Sequence, residues 1–83
     1  MPRFKVERTF DHPLTEQDLK EAVKRMEPCL VLYGVKSIRS YWSSDHQRMI
    51  CEYDAADAAS VRSVQCEAGA SFDRVWPADL LAP

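Results

Sequence analysis

The chain contains two histidines, and each of them directly follows an aspartate, as Asp11-His12 and as Asp45-His46. Imidazole nitrogens and carboxylate oxygens are suitable ligands for nickel and other late divalent metals. Both pairs fall in predicted loops, where they can bind such an ion weakly at the surface, and more strongly if a dimer brings two pairs together. The same residue types are common in solvated turns, and a single histidine specifies little chemistry. A metal site and an ordinary pair of turns therefore remain alternatives.

A second group of residues places charged and aromatic side chains inside segments that otherwise have the pattern of strands. Its members are Glu7 in FKVERTF, Arg39 and Tyr41 in SIRSYW, Glu52 in RMICEY, and Arg74 and Trp76 in FDRVW. Because successive side chains of a strand point to opposite faces of its sheet, we expect these residues to share one face.

Three interpretations of this charged face are open. Its ion pairs can fix the register of a homodimer interface. The face can instead form a polar pocket for a small ligand, with Tyr41 and Trp76 as walls. A buried Glu7 or Glu52 can also serve as a general base, but an adjacent arginine would lower its pKa and weaken that role. The sequence has no nucleophile triad, phosphate-binding glycine loop or zinc spacing, so no reaction is specified and we do not expect an enzyme.

Size and composition restrict the class of protein. A chain of 83 residues forms a single domain over residues 1–83, with one modest core. A net charge of -2 argues against a nucleic-acid partner, which usually requires a basic surface. No apolar run is long enough to span a bilayer, and the first residues lack the features of a signal peptide. The three cysteines have wide spacings, so we expect buried thiols at Cys29 and Cys51, a polar environment for Cys66, and a cytoplasmic location.

Four strands and two helices are predicted in the order β-α-β-β-α-β. The strands cover approximately Arg3–Phe10, Lys36–Trp42, Gln47–Tyr53 and Phe72–Trp76, with Pro77 marking an edge position or a strand break, and the tail Asp79–Pro83 is a candidate for a further short strand. We expect Ile38 and Trp42 to share the face opposite Arg39 and Tyr41. Met49, Cys51 and Tyr53 should face the helices, because burying Glu52 there would be costly.

The first helix should begin after the capping residue Thr15 and end at Gly34. Its apolar stripe comprises Leu19, Ala22, Val23, Met26, Leu30 and Tyr33, and Pro28 should kink the helix or split it. The second helix should begin at Asp57, bury Val61, Val64 and Ala68, and end at Gly69. This order defines a ferredoxin-like α+β domain with an antiparallel sheet and both helices on one face. The other sheet face is left for dimerisation.

Four segments carry a family resemblance, namely VERTF, VKSIRSYWSSD, RMICEYDAADAASVR and AGASFDRVW. Together they resemble a small bacterial family of ferredoxin-like domains of unknown function. The resemblance implies pairing of two copies through their sheets. One branch of the family is described as nickel-binding, with a suggested role in nickel sequestration.

We therefore expect a homodimeric, non-catalytic protein that binds nickel or a similar divalent ion weakly at its surface. No organic cofactor is expected. The alternative is a dimeric ferredoxin-like domain that binds or transforms a small molecule in a polar pocket on the open sheet face, an interpretation that rests on fold analogy.

Overall fold

The computed structural model describes residues 1–81 and has the predicted ferredoxin-like architecture. Its elements are β1 (Arg3–Thr9), α1 (Glu16–Tyr33), β2 (Lys36–Trp42), β3 (Arg48–Asp54), α2 (Ala58–Ala68) and β4 (Arg74–Pro77). The four strands form a sheet in the order β2-β3-β1-β4, and every neighbouring pair is antiparallel. The two central strands are β3 and β1, and β2 and β4 lie at the edges. No helix within residues 1–81 has the length and apolar character needed to cross a membrane.

Helix α1 begins and ends where the sequence predicts. The Thr15 hydroxyl accepts from the Asp18 amide, and the Asp18 carboxylate accepts from the Thr15 amide, which completes a capping box. Gly34 ends the helix in the left-handed conformation, with φ of 64°. Pro28 does not split the helix, which continues through it to Tyr33. Pro28 is exposed, so water can bind the backbone carbonyl that lacks an amide partner.

Helix α2 provides most of the fully buried helical surface. Its cap is Asp57, whose carboxylate accepts from the Ser60 amide at 2.8 Å. Val61 and Val64 are completely buried, and Ala68 is nearly so, as predicted. By contrast, no residue of α1 is fully buried. Helix α1 therefore lies less tightly on the sheet than α2.

The core lies between the helices and one face of the sheet. It contains Phe4 and Val6 of β1, Val75 of β4 and, as predicted, Met49, Cys51 and Tyr53 of β3. Two expectations for α1 are wrong. Val23 is 57% exposed, and Cys29 is only half-buried, because the loose seating of α1 leaves the edges of its apolar stripe in solvent.

Strand β2 contains an irregularity at Ile38. Ser37 lies opposite Tyr53 and Arg39 lies opposite Glu52, so Ile38 is the extra residue of a β-bulge. Ser40 and Trp42 then lie opposite the core residues Cys51 and Met49. Trp42 packs against the buried core, but Ile38 is absent from the core contacts among the residues described. Small serines therefore occupy two helix-facing positions of this strand.

Strand β4 lies at an edge of the sheet and ends at Pro77, which agrees with the predicted edge position. Residues 79–81 form no further strand. The rest of the predicted tail strand, residues 82 and 83, lies outside the described residues.

Replacing Gly34 tests how α1 is terminated. A Cβ at this position would meet no atom within 4 Å, so steric conflict with neighbours is not expected. The Gly34→Ala variant should still lose roughly 1–2 kcal/mol of unfolding free energy, since a left-handed backbone is strained for alanine. Gly34→Asn is the matched control and should lose less, because asparagine tolerates this conformation. Urea denaturation measures both, and equal stabilities of the two variants would contradict the explanation.

Candidate functional site

The sheet face opposite the helices carries all six residues of the predicted charged group. We call it the open face and define it by two rows that cross the four strands. The first row is Arg39, Glu52, Lys5 and Trp76, and the second is Tyr41, Ile50, Glu7 and Arg74. Strand register therefore places the charges beside one another.

Glu52 is the centre of the first row. Glu52 is only 5% exposed, although it lies on the sheet face that no helix covers. The Lys5 Nζ lies 3.1 Å from the carboxylate, the Arg39 Nε lies at 3.4 Å and the Arg3 Nη1 lies at 3.6 Å. Arg3 also pairs with Asp54 at 2.9 Å. Three cations therefore surround one carboxylate and cover it from solvent.

This environment acts on the pKa of Glu52 in two directions. Burial raises the pKa, but the Lys5 ammonium and the Arg39 guanidinium lower it, and the net pKa lies below the usual value. Glu52 is consequently held as a carboxylate. An anion fixed in this way is a poor general base, which argues against a catalytic role for Glu52.

Glu7 organises the second row. Its carboxylate accepts from the Trp76 indole nitrogen at 2.7 Å and lies 3.6 Å from the Arg74 Nε. The Lys5 ammonium lies 5.5 Å from the centre of the Tyr41 ring, within the range of a cation–π contact. The two aromatic side chains that were expected to line a pocket therefore contact charged neighbours instead, Trp76 with Glu7 and Tyr41 with Lys5.

A groove of about 700 Å³ lies beside the second row. Glu7, Tyr41 and Arg74 line it together with residues of the β2–β3 hairpin. Arg39, Glu52 and Trp76 are not part of its lining. The groove therefore divides the predicted six residues, and the alternative of a small ligand on this face would involve only three of them.

Asp45 and His46 lie in the hairpin between β2 and β3. The Asp45 carboxylate accepts from the Ser43 hydroxyl at 2.6 Å and from the Gln47 amide at 3.0 Å. The Ser43 hydrogen bond is the main cause of a lowered pKa for Asp45. His46 has a positive φ of 61°, and its ring stacks on Trp42 with 3.7 Å between ring centres. The hairpin thus holds both side chains in defined positions.

Asp11 and His12 lie next to this hairpin. The Phe10 amide donates to the Gln47 carbonyl at 2.8 Å, and the Leu14 amide donates to the His46 carbonyl at 2.9 Å. The loop that carries Asp11 and His12 is therefore fastened to the hairpin at both of its ends. Within residues 1–81, no three His, Cys, Asp or Glu side chains gather closely enough to form a preformed metal cluster.

Arg8 was not among the predicted site residues. It has the same parity as Phe4 and Val6, faces the helices and is only 7% exposed. Its guanidinium donates to the Gln65 side-chain oxygen at 2.6 Å, to the Ser71 carbonyl at 3.0 Å and to the Tyr53 hydroxyl at 3.1 Å. Strand alternation could have identified Arg8 as a buried charge, because the third residue on the apolar face of β1 is this arginine.

Together, the fold and these clusters define a small ferredoxin-like α+β protein with an ionic sheet face and two Asp-His loops at one end. A family model described as "Nickel responsive protein SCO4226-like" matches residues 4–77, and the chain belongs to this SCO4226-like family. The crystal structure of SCO4226 from Streptomyces coelicolor A3(2) is similar, with a TM-score of 0.85 and 19% sequence identity. The match covers 96% of this chain and 99% of that chain, and at this identity it shows the fold alone. No curated protein sequence matches the chain.

The Glu52 cluster predicts a specific loss of stability in acid. The pKa values of Glu52 and Asp54 are depressed in the folded state, so their stabilisation is complete above the unfolded values of 4.5 and 3.8 and is lost as pH falls through the lower folded values. Thermal midpoints measured between about pH 6 and about pH 3 should therefore fall, and Glu52→Gln should flatten this dependence.

Glu27→Gln is the matched control, because Glu27 is an exposed glutamate of α1 outside the cluster. It should keep the pH dependence of the original protein. Identical slopes for Glu52→Gln and the original protein would contradict the role given to Glu52.

Proposed function

We propose that this protein is a non-catalytic nickel-binding protein whose weak site lies where the β2–β3 hairpin meets the loop after β1. The proposed ligands are His46 and Asp45 of the hairpin and His12 and Asp11 of the loop. The observation that carries the proposal is the pair of backbone hydrogen bonds that join these two segments, at 2.8 and 2.9 Å. They hold both Asp-His pairs at one end of a chain whose family is described as nickel responsive.

The chemistry of these residues fits a late divalent ion. Imidazole is a favoured ligand for nickel, and carboxylates add charge. Stacking of His46 on Trp42 uses the faces of the two rings, whereas a metal binds in the plane of the imidazole, so the two interactions are compatible. The hydrogen bonds from Ser43 and Gln47 lower the pKa of Asp45, so its carboxylate stays ionised to a lower pH than that of an ordinary aspartate.

The absence of a preformed cluster within residues 1–81 has a consequence for affinity. The loop and hairpin must adjust to bring ligands together, or a second copy must add its own. Either requirement lowers the affinity of one chain for the ion, because part of the binding free energy is used for ordering. Weak, reversible uptake of this kind suits sequestration of excess nickel.

Calorimetric titration with nickel chloride tests this proposal. The original protein should bind with a dissociation constant below about 1 mM, the weakest affinity that would be useful. His46→Ala and His12→Ala should each weaken binding roughly tenfold or more, equivalent to at least about 1.4 kcal/mol. Cys66→Ser is the control, since Cys66 is an exposed potential ligand elsewhere. Absence of binding below 1 mM, or loss of binding in Cys66→Ser alone, would overturn the proposal.

We further propose that the open face forms a homodimer interface. Large side chains remain partly exposed there, with Tyr41 at 54%, Trp76 at 38% and Ile50 at 37%. They lie among the charged residues of the two rows, which gives the mixture of aromatic and ionic groups found at protein interfaces. A small domain also gains stability when a second copy covers an apolar surface.

Arg39 reports whether this face is covered. In one chain its side chain is 58% exposed, and Glu52 has two other cations, so Arg39→Ala should cost less than about 1 kcal/mol if the face is bare. In a dimer we expect a larger loss that is non-additive with Glu52→Ala in a double-mutant cycle. Urea denaturation at two protein concentrations, with light scattering, measures both. A monomer at micromolar concentration together with small, additive losses would exclude the interface.

A further inference from the structure

We propose that the cavity between α1 and the sheet binds a small monocarboxylate with an apolar body, whose carboxylate contacts Arg8. This site lies on the helix side of the sheet, whereas the open face lies on the other side. It does not depend on nickel binding. The ligand class follows from the volume of the cavity, from its largely apolar lining and from the buried charge of Arg8.

The cavity has a structural origin in α1 and β2. Helix α1 has no fully buried residue, and the facing strand β2 presents Ser37 and Ser40 where larger side chains would fill the space. The resulting cavity measures about 440 Å³ and is lined by both serines. Ligand pockets in proteins usually measure roughly 300–1,000 Å³, so the space suits a small organic molecule.

Most of the lining is apolar. Leu19, Met26 and Leu30 contribute from α1, and Met49 and Cys51 contribute from β3. Methionine side chains are flexible and adapt to apolar ligands of different shape. The body of the ligand is therefore expected to be alkyl or aryl rather than a sugar or a nucleotide.

Arg8 also lines the cavity and contributes a buried positive charge to it. All three acceptors of its guanidinium are uncharged groups: the Gln65 amide, the Ser71 carbonyl and the Tyr53 hydroxyl. Among residues 1–81, no carboxylate forms an ion pair with Arg8. A buried charge without a counter-charge is costly, and the three bonds leave two of the five guanidinium donors for a ligand. The carboxylate of a ligand would supply the missing negative charge and would accept hydrogen bonds from the two free donors.

Tyr53 does not provide the missing negative charge. Burial raises the pKa of its hydroxyl, which therefore stays protonated near neutral pH. That hydroxyl lies 3.2 Å from the Met26 sulfur, to which it donates, and it accepts from Arg8. The phenol thus orients Arg8 without neutralising it.

The acidic residues of α1 do not neutralise Arg8 either. Asp18, Glu21 and Glu27 line the cavity, but all three are exposed and none is an ion-pair partner of Arg8. Asp18 instead bonds to Thr15 in the capping box. Arg25, on the same helix, also lines the cavity. The exposed charged residues of the lining are therefore of both signs and solvated, whereas the buried charge, that of Arg8, is positive.

Titration with sodium octanoate tests the proposal, with octanol as the uncharged probe of the same apolar length. Octanoate should bind at least about tenfold more tightly than octanol, because a hydrogen bond to a charged group strengthens the contact. Arg8→Gln should weaken octanoate binding roughly tenfold to a hundredfold and leave octanol binding nearly unchanged. Arg62→Gln, which removes an exposed arginine of α2, is the matched control and should bind octanoate normally.

Ser40→Leu gives a second test that leaves Arg8 intact, and it decides the matter if Arg8→Gln does not fold. The leucine should fill the cavity, abolish octanoate binding and raise the thermal midpoint of the free protein. Amide chemical-shift changes on adding octanoate to the original protein should concentrate at Ser37, Ser40 and Ala70. Equal affinities for octanoate and octanol, unchanged binding in Ser40→Leu, or shifts confined to the open face would overturn the proposal.

Discussion

Strand β1 is the constraint on which the polar architecture depends. It lies inside the sheet, between β3 and β4, so its backbone is fixed from both sides. Alternation then sends Lys5 and Glu7 to the open face and sends Arg8 into the space under the helices. A shift of one residue in its register would exchange these faces and place apolar side chains in solvent. The open-face network and the buried arginine are therefore two results of one strand's position.

The two faces treat buried charge in opposite ways. On the open face, Glu52 is surrounded by three cations within 3.6 Å, and its charge is compensated inside the chain. Under the helices, Arg8 has only neutral acceptors among the described residues. Compensated ion pairs commonly serve to fix register and partner choice, whereas an uncompensated charge that lines a cavity is more typical of a ligand site. This contrast separates a surface that can meet another protein from a site that can accept an anion.

The fold could be predicted from local signals, because caps, glycines and periodicity agreed with one another. Thr15, Asp57, Gly34 and Gly69 mark helix ends, and alternation assigns Met49, Cys51 and Tyr53 to the core. Pairing of Arg39 with Glu52 could also be anticipated, since a short hairpin joins their strands. The bulge at Ile38 and the loose seating of α1 could not, because both depend on how distant elements pack. The cavity is a product of these two features.

The loop after β1 belongs to both the proposed metal site and the proposed carboxylate site. Phe10 and Leu14 line the cavity under α1, and the amides of the same two residues bond to the hairpin that carries His46. Asp11 and His12 lie between them. A ligand that moves this loop must act on both places, and thermodynamic linkage requires that any effect of an anion on nickel affinity equals the effect of nickel on anion affinity. Because two backbone hydrogen bonds join this loop to the hairpin, it is the segment through which such an effect would pass.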